Sequence, residues 1–82
     1  MRISIEGHTD DIGEAQENAR LSVSRAQGVS KGLQALGITT DRLVAHGFGS
    51  TLPLADNTTD EGRARNRRVQ FLVIPDVKSA IM

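Results

Sequence analysis

Glu6, His8, Asp10 and Asp11 crowd into one short stretch, EGHTDD, and residues of these types could hold a metal or move a proton. Alternation would put Glu6 and His8 on the same face of a strand. A metal site needs more ligands at fixed spacing, yet the chain has two histidines, His8 and His46, and no HxxxH pair. His8 reads instead as an anchor that hydrogen-bonds its own loop. Ser22 would complete a Ser-His-Asp set, but no nucleophile elbow surrounds it. Gly47-Phe48-Gly49 is a turn feature and not a dinucleotide fingerprint. No catalytic residue, metal or cofactor is therefore expected. The chain does not read as an enzyme, and a metal-dependent hydrolase is the weakest alternative.

A second pairing, Asp10 with Arg25, suits binding better than catalysis. Asp10 falls in the loop that leads into a predicted helix, and Arg25 lies about three turns along that helix. At 100° per residue, Arg25 sits about 60°, and Asn18 about 40°, from the centre of the apolar stripe at Ser22. Polar side chains at the edge of a core face need partners. Two readings follow: a salt bridge that pins loop to helix, or an anion and a cation that hold a ligand between them.

The chain as a whole narrows the choice. Eighty-two residues make one domain with a small core, burying roughly 60% of the unfolded surface. Ten basic residues balance ten acidic ones, so no overall field draws the chain to nucleic acid or an anionic membrane. Arg63, Arg65, Arg67 and Arg68 form a local basic cluster, but Asp60 and Glu61 flank it and no aromatics interleave. Nucleic acid is not an expected partner. Aromatic content is 2%, two Phe, which argues against base stacking and aromatic sugar platforms. With no cysteine, disulfides and thiolate chemistry are excluded. No apolar run approaches the roughly 18 residues of a membrane span, so this segment is not expected to insert in a membrane. The N-terminus lacks the apolar region of a secretory signal.

The elements that must position these residues follow from periodicity. Arg2 to Glu6 alternates as a half-buried strand, with Ile3 and Ile5 on one face. Asp11 and Glu14 fit a capping box for a helix from about Gly13 to Leu36. Its stripe would be Ala15, Ala19, Ser22, Ala26, Val29, Leu33 and Leu36, with Gly28 and Gly32 marking tight packing and Gly37 capping the end. Thr40 to Arg42 turns into a brief strand at Leu43–Ala45. Thr58 and Glu61 suggest a second capping box, for a short helix over Glu61–Arg65. Val69 to Ile74 is apolar on both faces and reads as a central strand, stopped by Pro75. The order β-α-β-α-β predicts an α/β fold, an α+β sandwich with helices packed on one face of a small mixed sheet. Residues 1–75 form the domain and 76–82 a tail.

Several segments together carry a resemblance. They are Ile5-Glu6-Gly7-His8-Thr9-Asp10, then Asn18 with Leu21-Ser22 and Arg25-Ala26, then Gly37-Ile38 with Arg42-Leu43, and Gly47-Phe48-Gly49. Pro53 with Asn57, Gly62-Arg63 and Asn66-Arg67-Arg68-Val69 complete the set. Across residues 3 to 74 the chain resembles the C-terminal, OmpA-like domain of the OmpA/MotB/Pal family. Relatives usually have a further strand and helix ahead of the GHTD strand, and a bulkier residue at the position of Gly32. The chain thus resembles an N-terminally truncated domain, whose missing layer could come from a partner chain and leaves room for a homodimer.

The resemblance implies non-covalent binding of peptidoglycan through the meso-diaminopimelate of its peptide stem, anchoring an envelope protein to the wall. Asp10 would accept from the ligand's ammonium and Arg25 would grip its carboxylate in a forked pair. Asn18 matches a position that bonds the ligand or its loop. Thr9 would donate through its hydroxyl or backbone N–H, or else form a local turn. Leu21 would wall the pocket, and Arg67, ranked above Arg68, would reach the same carboxylate. The implied location is the periplasm of a diderm, Gram-negative bacterium, in association with the outer membrane. The alternative is a protein–protein assembly domain with an incomplete pocket.

Overall fold

The computed structural model describes residues 1–75; the expected tail lies outside them. Strand β1 (Arg2–His8) leads to helix α1 (Ala15–Ala35), a 3₁₀ turn (Thr40–Arg42), β2 (Leu43–Gly47), helix α2 (Asp60–Asn66) and β3 (Arg68–Ile74). The sheet runs β2-β1-β3. β1 is parallel to β2, with Ile5 opposite Ala45, and antiparallel to β3, with Ile5 opposite Phe71. This is the small mixed α+β sheet expected from the element order.

Gly7 and Gly47, opposite one another in the sheet, show which face α1 covers. A Cβ on Gly7 would strike the Ser22 backbone, and one on Gly47 would strike Ser22 and Val23. Glycine at these positions lets the helix lie directly on the strands. Alternation then puts Ile3, Ile5, Leu43, Ala45, Val69, Phe71 and Val73 on the α1 side. Ser4, Glu6, His8, Val44, His46, Arg68, Gln70, Leu72 and Ile74 face the other way. The fully buried apolar core is small: Ile5 and Ala26, both 0% exposed.

Four expectations change. The buried helix stripe is Asn18, Ser22, Ala26 and Ser30, more polar than predicted, while Leu36 is exposed. The close approaches occur at Gly7 and Gly47; Gly28 and Gly32 face open space. Neither predicted cap forms as drawn. Glu14 precedes α1 without a side-chain cap bond, and Thr59, not Thr58, caps α2 by accepting from the Gly62 N–H. Finally, β3 is an edge strand and not a central one. Its position beside β1 leaves one edge unpaired among the described residues, and Phe71, Leu72 and Val73 are each more than half exposed.

Candidate functional site

β1 runs two residues further than its alternation suggests, because Gly7 and His8 pair with Val69 and Arg68 of β3. The chain then turns through Thr9 and Asp10, which remain buried. Thr9 donates its N–H to the Gly49 carbonyl (2.9 Å) and its hydroxyl to the Asp10 carbonyl (2.7 Å). Both donors of Thr9 are thus engaged within the chain, which makes it a residue that shapes the loop. Asp10 Oδ1 accepts from the Ile12 N–H at 3.1 Å, a bond two residues on that fixes the turn. Asn18, 8% exposed, donates from Nδ2 to the carbonyls of Ile12 (3.1 Å) and Asp10 (3.4 Å), tying the loop to the first turn of α1.

The partner of Asp10 is Arg67. Its Nη1 donates to Asp10 Oδ2 at 2.7 Å, joining the end of β1 to the start of β3. That hydrogen bond is the main reason the Asp10 carboxyl is held below its usual range. Burial, second in size, opposes it, and the Ile12 N–H and the charges of Arg67 and Arg63 assist. The salt bridge weighed from the sequence, Asp10 with Arg25, is not formed: Arg25 is exposed and makes no hydrogen bond or ion pair among the described residues. Arg68 faces away, donating to Gln70 Oε1, the Asn66 carbonyl and the Leu52 carbonyl.

The side of α1 on which Arg25 lies follows from helical geometry. Ala19 and Val23 meet Gly49 and Gly47, so that flank faces β2. Asn18, Leu21 and Arg25 lie on the opposite flank, toward β3. Asn18 touches the Asp10 loop, and Arg25 follows it seven residues later on the same flank. Arg67, by alternation, is also on the α1 side. Hydrogen bonds bring Asp10, Asn18 and Arg67 together beside the C-terminal end of β1, while Leu21 and Arg25 share the α1 flank of Asn18 by helical spacing alone. Leu21, on the same flank, is 43% exposed. An apolar groove of about 330 Å³ along Ala19, Val23 and Gln27 lies on the other flank, away from these charges.

Some supporting residues fall in the quoted motifs without having been singled out as site residues. Ser22 is fully buried, accepts the Gly49 N–H at 2.9 Å and donates to the Ala19 carbonyl at 2.7 Å. Asn66, also fully buried, accepts from the N–H groups of Leu54 (2.8 Å) and Ala55 (2.9 Å) and donates to the Ala55 carbonyl (3.0 Å) and Asn57 Oδ1 (2.7 Å). It fastens the β2–α2 connection directly before Arg67. The His8 ring makes no hydrogen bond, contrary to its expected anchoring role; it stacks on Phe48 with ring centroids 5.3 Å apart. Among the described residues no three His, Asp or Glu side chains are placed to hold a metal ion. No described helix is long and apolar enough to cross a membrane.

A family model described as the OmpA family matches residues 1–67. The peptidoglycan-binding protein ArfA of Mycobacterium tuberculosis is 44% identical over 72 residues, covering 88% of this chain and 22% of its own length. The C-terminal domain of Helicobacter pylori MotB superposes with a TM-score of 0.86 at 31% identity, covering 98% of this chain and 62% of that one. The peptidoglycan-associated lipoprotein of Burkholderia pseudomallei gives a TM-score of 0.84 at 31% identity, covering 87% and 60%. The chain spans about a fifth of the length of the curated relative and under two thirds of these solved neighbours.

Proposed function

The chain belongs to the OmpA family, and on that footing we propose that it binds cell-wall peptidoglycan without cleaving it and so anchors an envelope protein to the wall. The ligand group we propose is the free amino-acid end of meso-diaminopimelate, a zwitterion with an ammonium and a carboxylate on one carbon. One observation carries this reading: Asp10 keeps acceptor capacity beside Arg67, while Arg25, on the same side of β1, has no partner among the described residues. A carboxylate offers about four lone-pair sites, and here two bonds use it, so an incoming ammonium can share it. Arg25 brings a fork of N–H donors suited to a carboxylate, and the remaining donors of Arg67 reinforce it. Asn18 and Thr9 keep the Asp10 loop in place, and Leu21 covers the ligand's apolar carbons. The location that fits is the periplasm, in association with the outer membrane.

Sedimentation with purified sacculi tests this. Asp10→Ala and Arg25→Ala each remove a charge-assisted contact worth roughly 1.5–3 kcal/mol, so binding drops about tenfold or more. Sacculi with lysine in place of diaminopimelate lack the carboxylate for Arg25 and are retained less well. Folded variants that co-sediment like the wild type would remove the site assignment, and equal binding to both wall types would move recognition elsewhere on the polymer.

The exposed apolar residues of β3 favour a second reading compatible with the first. We propose that the edge of this seven-residue strand, unpaired among the described residues and with no charge between Val69 and Ile74, supports homodimer formation. Light scattering across a concentration series checks it: a monomer at every concentration would rule it out.

A further inference from the structure

His8 is a buried group that the proposed ligand site does not touch. It is 2% exposed, and neither ring nitrogen has a hydrogen-bond partner. A buried polar group without a partner is costly, on the order of 1–3 kcal/mol. What the ring does make is a nearly parallel stack on Phe48, with planes 13° apart, on the sheet face away from α1. The same two segments are joined through the backbone: Phe48 N–H donates to the Gly7 carbonyl (3.0 Å) and Thr9 N–H to the Gly49 carbonyl (2.9 Å). Ring stack and backbone bonds together clamp the Phe48–Gly49 turn onto the segment that ends in Asp10.

The charged and titratable neighbours come from each strand. Glu6 on β1 has Oε1 4.0 Å from His8 Nε2, Arg68 on β3 stands opposite His8 in register, and His46 on β2 tilts against Phe48 at 6.2 Å. Burial first, and then Arg68, lower the His8 pKa from its usual value, while Glu6 opposes them.

We propose that His8 is a positioning residue for the ligand loop: the uncharged imidazole, stacked on Phe48, holds Thr9 and Asp10 in their binding geometry, and a charged imidazole releases them. The proposal rests on the reading of Asp10 as the ligand's anchor. An imidazolium at this depth lacks an acceptor within hydrogen-bond range. Its relief is to swing toward Glu6, which breaks the stack. Wall binding should therefore weaken as pH falls below the ordinary histidine value of about 6.5. The Asp10 carboxyl, already held low by Arg67, stays ionised across that window.

The test is sacculus co-sedimentation between about pH 8 and about pH 5 for the wild type, His8→Phe, His8→Ala and His46→Gln. The amide shifts of Thr9 and Asp10 are followed over the same range without ligand. Expected results are a loss of about fivefold or more for the wild type at the acid end and a flat profile for His8→Phe, whose ring stacks but does not titrate. His46→Gln should follow the wild type. Folded His8→Ala should bind about fivefold more weakly at every pH. A flat wild-type profile, or a slope that persists in His8→Phe, overturns the proposal. Should His8→Ala fail to fold, the wild type and His8→Phe decide between themselves. Should no form bind sacculi, the peptidoglycan reading fails, yet the amide shifts still judge His8. Titration in the wild type and not in His8→Phe supports its positioning role, and no titration overturns it.

Discussion

At the C-terminal end of β1 polar side chains are buried, whereas along β3 apolar ones are exposed. Ser22 and Asn66 are 0% exposed and His8 2%, while Phe71, Leu72 and Val73 lie between 55% and 57%. The contrast is one of self-sufficiency. Ser22 and Asn66 find hydrogen-bond partners among nearby backbone groups, so the turn at Gly49 and the β2–α2 connection are fixed from within, as Asn18 fixes the Asp10 loop. β3 draws its order from its ladder with β1, and its apolar side chains are not covered by α1, which lies on β1 and β2. The solved neighbours it matches are longer. The polar end is the part that the proposed ligand reading uses, and the apolar strand the part that the proposed self-association uses.

Three changes would break or sharpen this contrast. The largest effect should come from Asn66→Ala, which strands the N–H groups of Leu54 and Ala55. At 1–3 kcal/mol for each orphaned group, a loss of about 3 kcal/mol is expected in urea unfolding. A loss under about 1 kcal/mol would show that the polar end is not held in this way. Next is Asp10→Asn. The folded Asp10 carboxyl titrates below its unfolded value, so its stabilisation is fully present above about pH 3.9 and is lost as pH falls through the folded value. Because Arg67 is 46% exposed, solvent screens the pair. The variant should lose stability less steeply in acid, by about 1 kcal/mol or less. An unchanged acid limb would mean that the pair adds nothing to stability. The smallest effect belongs to Leu72→Ser, which should alter monomer stability by only about 0.5 kcal/mol while reducing self-association in light scattering. A large loss of stability with unchanged association would show that Leu72 supports the fold from within.

The order β-α-β-α-β was legible because Ile3 and Ile5 alternate and the α1 stripe repeats at helical spacing. The family was legible because GHTD, NxxLSxxRA and GRxxNRRV occur in sequence. Less legible were the caps and the helix face. Thr59 caps α2 in place of the adjacent Thr58, and α1 starts after Glu14 with no side-chain cap while Asp10 fixes the preceding turn, choices among residues of similar chemistry that only local geometry makes. The buried stripe includes Asn18 and Ser30, which hydropathy places outside a core, because the Asp10 loop accepts from Asn18 and Gln34 one turn on donates to Ser30.

By itself, then, the sequence determined the order of the elements, the absence of thiol chemistry and the motifs that carry the family resemblance, since these depend on composition and on spacing along the chain. Only the tertiary structure decided that Asp10 pairs with Arg67 and not Arg25, that β3 lies at an edge, and that His8 stacks on a ring instead of bonding its loop. Those outcomes depend on which segments meet in space. Asp10 and Arg67 are 57 residues apart, and local periodicity does not report which distant partner closes a contact.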